Sequence, residues 1–299
     1  MILVESPKHL AAYAGCAFVP TMGALHQGHA SLVKRARESG KPTVVSIFVN
    51  PTQFGPTEDL DRYPRTLDAD LALLESLGTA AAYCPPIDAL YPEGIAASMQ
   101  VASALALPAV ATEPRLEDLC RPSHFAGVAL VVGRLFDQVR PASAYFGEKD
   151  YQQLRLVEDF VATERERFGA LEIVRCPTLR ESDGLAMSSR NRFLSAPSRA
   201  AALALSRALR ATHMAFRPAD AERMMRDELT KSGLAIEYAV VRDANTLLEV
   251  QTFEAPTRVL IAARCEAVRL IDNVAMPARD PTKSKCPFAA LFGFAAPSE

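Results

Sequence analysis

The run Thr43-Val-Val-Ser-Ile-Phe-Val49 is apolar on both sides of any strand it forms. A strand that hides both faces belongs in a sheet covered by helices on each side. Parallel strands joined through helices reach that arrangement. The flanking sequence follows the same plan. Ala17–Val19 reads as a short strand and Ser31–Glu38 as a helix with Leu32 and Val33 inward. Within Thr66–Leu77, Leu67, Leu71 and Leu74 recur at i, i+4 and i+7, the stripe of a helix buried along one side, and Gly78 follows as a stop. Ala80–Cys84, Ala144–Phe146 and Glu172–Val174 read as further strands, and Gly127–Val139 and Asp150–Thr163 as helices. This alternation predicts an α/β fold on an open, mostly parallel sheet.

The pattern changes after Asn191. Ser198–Phe216 and Ala219–Ser232 read as helices, Ala235–Val241 and Thr257–Ala263 as strands, which predicts a smaller C-terminal α+β domain. The expected division falls in the 176–190 stretch: residues 1–180 for the α/β domain, 181–283 for the α+β domain and 284–299 as a tail.

Composition narrows the function. The formal net charge of -2 over 299 residues leaves no broad basic field for nucleic acid or an anionic membrane. Cys16, Cys84, Cys120, Cys176, Cys265 and Cys286 are scattered without a C-x-x-C pair. That argues against a zinc site or disulfide framework and for a reducing, cytoplasmic setting. No apolar run has the length of a membrane span, and the N-terminal residues lack the apolar core of a signal peptide.

Chemistry concentrates in turns that follow predicted strands. Phe18-Val-Pro-Thr-Met-Gly-Ala-Leu-His26-Gln-Gly-His29 runs from a strand through two glycines and two histidines into a helix. A helix N-terminus offers free N–H groups and partial positive charge, so this turn suits a phosphate, and His26 and His29 on either side of Gly28 can donate to it. The plain alternative is a pair of helix-capping histidines. Phe48-Val-Asn-Pro-Thr-Gln53-Phe54 follows the buried run, where ligands bind in open α/β sheets; Gln53 offers a donor and an acceptor for a hydroxyl or carboxylate. Read alone, it is an ordinary turn with an exposed Gln. Tyr145-Phe-Gly147-Glu148-Lys149-Asp150-Tyr151-Gln-Gln153 repeats the strand–glycine–helix plan. Lys149 can pair with a phosphate and Asp150 with a ribose hydroxyl or a metal, although a charge run at a helix start is commonly just solvated. Gly184-Leu-Ala-Met187-Ser188-Ser189-Arg190-Asn191 brings hydroxyls and a guanidinium suited to outer phosphates, or a Ser-rich linker. Arg121 and His124, just before the apolar helix, can face the same cleft; the alternative is an N-cap by Ser123 beside a surface Arg.

Together these segments resemble the pantoate–β-alanine ligase family. The matching stretches are Pro20–His29, Phe48–Phe54, Arg121–Val128, Phe146–Gln153 and Arg180 with Gly184–Asn191, and Arg269-Leu-Ile-Asp-Asn273 resembles the family's closing strand. The resemblance runs from about residue 1 to 280. The His26-x-Gly-His29 element by itself is shared with a wider nucleotidylyltransferase superfamily; the later motifs are more specific. Ser123 stands where the family often has glycine.

The resemblance implies a Rossmann-like domain with a smaller C-terminal lid domain, a homodimer, and magnesium as cofactor. It implies an ATP-dependent ligase in which the carboxylate of pantoate attacks the α-phosphate to give pantoyl adenylate and pyrophosphate, and β-alanine then displaces AMP to give pantothenate. By position, Met22, Gly23, Ala24, Leu25, His26, Gln27, Gly28 and His29 would meet ATP, with Pro20 and Thr21 lining the same cleft and His29 as proton donor. Gly147, Glu148, Lys149, Asp150, Leu179, Met187, Ser188, Ser189 and Arg190 would also bind ATP. His29, His26, Lys149 and Arg190 would be catalytic, Gln53 and Gln153 would hold pantoate, and Gln53 would also meet β-alanine. Two other readings compete: a nucleotidylyltransferase that leaves the nucleotide on its product, and an inactive ATP-binding module. The first differs in lacking β-alanine-dependent release of AMP; the second predicts a missing catalytic residue, whereas every one named here is present.

Overall fold

A computed structural model describes residues 1–56, 58 and 60–279. The expected tail at 284–299, with Cys286, lies outside the described residues. The chain divides into two compact units: residues 1–182 with 186–192, and residues 183–185 with the segment that begins at 193.

The first unit carries a six-stranded, wholly parallel sheet. In chain order its elements are β1 (Ile2–Val4), β2 (Ala17–Thr21), α1 (Gln27–Arg37), β3 (Thr43–Ile47), α2 (Leu67–Ser76), β4 (Ala81–Tyr83), α3 (Ile87–Leu90), α4 (Ile95–Ser103), α5 (Glu117–Cys120), α6 (His124–Val139), β5 (Ser143–Gly147), α7 (Tyr151–Thr163), α8 (Arg165–Phe168) and β6 (Glu172–Cys176). The strand order is β1-β4-β3-β2-β5-β6. From β2 the chain first moves outward through β3, and it later returns to place β5 on the other side of β2. The order therefore reverses between β2 and β5, and the crevice above their carboxyl ends is where open α/β sheets bind ligands.

The two sheet faces are covered differently. Ala17, Val19, Val45, Ala82 and Tyr145 join Val33 and Ala36 of α1 and Leu74 of α2 in one apolar cluster. On the opposite face Phe18 meets Phe136 of α6 edge-on at 6.3 Å, and Phe136 also packs against Phe146 and Phe168. Truncating a buried ring at such a junction costs about 3–5 kcal/mol, so Phe136 is a principal bolt between α6 and the sheet.

Several elements differ from the sequence expectations for identifiable reasons. Helix α1 begins at Gln27, four residues before Ser31, because the His26 ring caps it. In α2 the expected stripe is rotated: Leu74 is fully buried, but Leu67 is 44% exposed and the second buried position is Asp70. Helix α6 starts at His124, ahead of Gly127. The 150–163 helix is preceded by a 3-10 turn over Glu148–Asp150. Strand β1 and helices α3, α4 and α5 are too short or too weakly patterned to stand out in the sequence.

The second unit packs α9 (Ala196–Ala202), α10 (Ala204–Ala211) and α11 (Pro218–Lys231) on an antiparallel sheet of β7 (Ala235–Asp243), β8 (Thr257–Cys265) and β9 (Val268–Met276). Its core is apolar, with Leu205, Leu209, Met225 and Leu229 from the helices against Val241, Val259 and Ile261 from the sheet. The single helix expected over Ser198–Phe216 is broken into α9, α10 and a 3-10 turn at Thr212–Met214.

Candidate active site

The histidine turn leaves β2 through two consecutive left-handed residues, Gly23 (φ 81) and Ala24 (φ 51). A non-glycine residue holds that conformation only where its surroundings fix it. Here Thr21 Oγ1 accepts the Gly23 N–H at 3.3 Å, and the Asp70 carboxylate accepts the N–H groups of Ala24 at 2.9 Å and Leu25 at 2.8 Å. The chain then enters α1 with His26 as cap.

The two imidazoles have assigned tautomers. The Gly28 N–H donates to His26 Nδ1 at 3.1 Å, and the His26 N–H donates to His29 Nδ1 at 3.3 Å. A backbone N–H can only donate, so each Nδ1 is an acceptor and each neutral ring carries its proton on Nε2. The ring centroids lie 4.1 Å apart. Burial, and next the charge of Lys149, push the pKa of His26 down to about 4; burial, and next the neighbouring His26, push that of His29 down to about 3. Both rings are therefore neutral Nε2–H donors near pH 7. Gly28 leaves room for this pair, since a Cβ there would lie 2.7 Å from His26 Cε1.

Gln53 is equally constrained. The Asn50 side chain donates to Gln53 Oε1 at 2.9 Å and to the Gly127 carbonyl at 3.2 Å, while Asn50 Oδ1 accepts from the Tyr91 hydroxyl at 2.6 Å and from Thr52. With Oε1 occupied, Gln53 keeps its Nε2 amide for a ligand; its contact there is the weak acceptor Met22 Sδ at 3.2 Å. The Gln53 carbonyl accepts from His124 Nδ1 at 3.0 Å, so His124 Nε2 is a lone-pair acceptor. Burial, and next Arg121, lower the pKa of His124 to about 4. Arg121 pairs with Glu58 at 2.6 Å; burial alone would raise the Glu58 pKa, but the Arg121 bond and charge hold it below its ordinary value. Helix α6 comes so close that a Cβ on Gly127 would lie 2.2 Å from the Thr52 carbonyl oxygen. Ser123, φ -97 and ψ -6, occupies ordinary right-handed backbone, so the position does not require glycine.

Beyond β5, the side chain of Gln152 is buried and spent on structure: its oxygen accepts the Glu117 N–H, and its amide donates to the Val110 carbonyl and Asp118. Its neighbour Gln153 lines the cavity. Lys149 Nζ lies 3.6 Å from Asp150. From the 187–190 segment Ser189 Oγ donates to the Ala24 carbonyl, Ser188 Oγ accepts the Arg190 N–H, and the Met187 N–H donates to the Leu179 carbonyl.

These parts enclose a cavity of about 250 Å³ within the first unit. Met22, His26, Gly28, His29, Gln53, Gly147, Lys149, Asp150, Gln153, Leu179, Met187, Ser188, Ser189 and Arg190 line it, as do Pro20, Thr21, Asn50, Arg121 and His124. Gly23, Ala24, Leu25, Gln27 and Glu148 do not. Gly23 and Ala24 form the buried underside of the turn against Asp70, and Gln27 faces solvent from the first position of α1. Sequence reasoning missed Asn50 and Asp70. The available signal for Asp70 was its i, i+4 spacing from Leu74, which puts both on one face of α2.

The family model for pantoate-beta-alanine ligase matches residues 4–275. The chain belongs to the pantoate–β-alanine ligase family. It is 47% identical over 267 residues to the pantothenate synthetase of Acidiphilium cryptum, covering 88% of this chain and 92% of that protein. It also matches a bifunctional pantoate ligase/cytidylate kinase of Synechococcus elongatus at 44% identity, and there it spans only 53% of the relative's length. The pantothenate synthetase of Thermus thermophilus superposes with a TM-score of 0.83 at 41% identity, covering 92% of this chain and 99% of that one. The Francisella tularensis ligase, complexed with beta-gamma ATP and beta-alanine, gives 0.75 at 31% identity, covering 94% and 100%. The parallel α/β sheet with a small antiparallel C-terminal sheet is the fold of these ligases.

Proposed function

We propose that this ligase condenses pantoate and β-alanine through a pantoyl adenylate formed in the cavity of the first unit. The observation that carries the reading is the pair of neutral Nε2–H donors, His26 and His29, lining one cavity with Gln53 and Gln153. The Francisella relative's complex with beta-gamma ATP and beta-alanine supports ATP and β-alanine as substrates.

In the first step a pantoate carboxylate oxygen attacks the α-phosphorus of ATP, and the bond to the β-phosphate oxygen breaks to release pyrophosphate. Negative charge builds on the α-phosphate oxygens, and the imidazole N–H groups stabilise it there. With a pKa of about 3, His29 acts by hydrogen bonding rather than as an imidazolium acid. Lys149 and Arg190 offset the charge of the outer phosphates, with Ser188, Ser189 and Asp150 beside them. The Gln53 amide and Gln153 hold pantoate so that one oxygen is in line with the phosphorus, and this positioning supplies much of the rate. In the second step the amine of β-alanine attacks the acyl carbon, loses a proton, and expels AMP.

Among the described residues no group of three or more His, Cys, Asp or Glu side chains is arranged to hold a metal. Magnesium would come with the triphosphate as part of the substrate, since this ion is commonly held by one or two carboxylates together with substrate phosphates and water, and Asp150 lines the cavity. A homodimer and a lid role for the C-terminal unit belong to the same proposal. So does a cytoplasmic setting, supported by five free cysteines among the described residues. No described helix is long and apolar enough to cross a membrane.

The test is product release from ATP, magnesium and pantoate. Pantoate alone gives about one pyrophosphate per site, and β-alanine converts this to steady AMP release. Continuous AMP release without β-alanine, or pyrophosphate release without pantoate, overturns the reading.

A further inference from the structure

Asp70 lies outside the cavity lining, on α2, yet its carboxylate is 3% exposed and fully engaged by the histidine turn. One oxygen accepts the Ala24 N–H at 2.9 Å; the other accepts the Leu25 N–H at 2.8 Å and the Thr66 hydroxyl at 3.2 Å. The same oxygen that holds Ala24 would lie 3.0 Å from a Cβ on Gly23, so the carboxylate is seated directly under the left-handed pair. The Ala24 peptide is gripped from its other end as well, because its carbonyl accepts from Ser189 Oγ at 3.3 Å. One peptide thus joins the histidine turn, α2 and the serine–arginine segment.

We propose that Asp70 is a positioning residue for adenylate formation. Its two-pronged clamp stabilises Gly23 and Ala24 in the left-handed conformation. It thereby sets where the His26 and His29 N–H groups stand, and where Ser189 meets the turn. No other residue type supplies two acceptor oxygens at this reach. Asparagine has the same shape but one acceptor and one N–H₂ group, which sets a donor against a backbone donor. Glutamate adds a methylene where the fit is already close.

The rate measurement for this proposal rests on the ligase reading above; the structural measurement does not. Asp70→Asn is compared with Leu71→Ala, a change on the same helix at a side chain that packs against the apolar cluster and, being apolar, offers no hydrogen bond to the turn. In Asp70→Asn, kcat for pantoate-dependent pyrophosphate exchange falls by roughly thirtyfold while the KM for ATP moves less than about threefold, as expected when a group acts in the transition state rather than in binding. Leu71→Ala lowers the melting temperature but leaves kcat within about twofold. Hydrogen exchange, followed without substrates, loses protection at the amides of residues 24 and 25 in Asp70→Asn and retains it in Leu71→Ala. An Asp70→Asn protein with unchanged kcat, or with protection at 24 and 25 intact, overturns the proposal. So does a parallel loss of kcat in Leu71→Ala. If the unmodified protein shows no pantoate-dependent exchange, the ligase reading fails and the amide measurement still decides the clamp.

Discussion

The turns after β2 and β5 flank the same switch point and are built in opposite ways. The first is held by hydrogen bonds to the N–H groups of residues 23, 24, 25, 26 and 28, accepted by a threonine hydroxyl, a buried carboxylate and two imidazoles, and it runs through two left-handed residues. Its functional groups are neutral. The second runs through Gly147, where a Cβ would meet nothing within 4 Å, into a 3-10 turn of Glu148, Lys149 and Asp150 without a side-chain cap. Its side chains are charged: Lys149 is 19% exposed and Asp150 50% exposed. Neutral donors are buried and oriented at modest cost, whereas a cation is costly to strip of water.

Mutations on the two sides separate these contributions. The largest effect is expected for His29→Ala, which lowers the rate of adenylate formation by roughly a hundredfold or more through loss of one oriented donor. Rapid-quench measurement of pantoyl adenylate checks it, and a near-normal rate removes His29 from the reaction. Lys149→Ala follows, with a loss of roughly thirtyfold in kcat/KM for ATP, the rate equivalent of about 2 kcal/mol for one charge-assisted hydrogen bond. Its deficit shrinks at high salt whereas that of His29→Ala does not, because screening acts on charge. Equal salt dependence of the two would erase the contrast between the turns.

Gln53→Ala raises the KM for pantoate by roughly tenfold and leaves that for ATP nearly unchanged, as expected for one lost amide hydrogen bond to a carboxylate; steady-state titration of each substrate distinguishes the two. Gly28→Ala is smaller still, about fivefold in kcat, as the new Cβ displaces the His26 ring.

The smallest effect is on the pH profile. With His26 at about 4 and His29 at about 3, kcat shows no limb from these rings between pH 5 and 8. Stability does respond. Below pH 6.5 the unfolded chain protonates both rings while the native protein does not, so stability falls as pH drops from about 6.5 toward 4. Chemical denaturation of His26→Gln against the unmodified protein measures this, and the variant has the flatter slope.

Much of this architecture is legible in the residues alone. The apolar run at Thr43–Val49 reads as an interior strand, and the glycines and histidines at 23–29 read as a turn into a helix. Gln53, Lys149 and Arg190 stand where strand ends and a glycine-bearing loop put them. The rotated face of α2 was not legible, because three leucines at helical spacing outweigh one aspartate in any hydrophobic pattern. Nor was the division of labour between Gln152 and Gln153, adjacent and chemically identical, of which one is used up on the Glu117, Val110 and Asp118 groups and the other lines the cavity.

By itself the sequence determined the periodicities, the turn chemistry and the set of groups able to meet a nucleotide and an acid. These follow from local spacing, which covalent geometry converts directly into faces and turns. Only the tertiary structure decided the strand order that opens the crevice between β2 and β5, the tautomers and lowered pKa values of the histidines, and the partners Asn50 and Asp70. Those depend on contacts between segments tens of residues apart, such as Asp70 with Ala24 and Asn50 with Gly127. No local pattern encodes a hydrogen bond whose two ends meet only after the chain has folded.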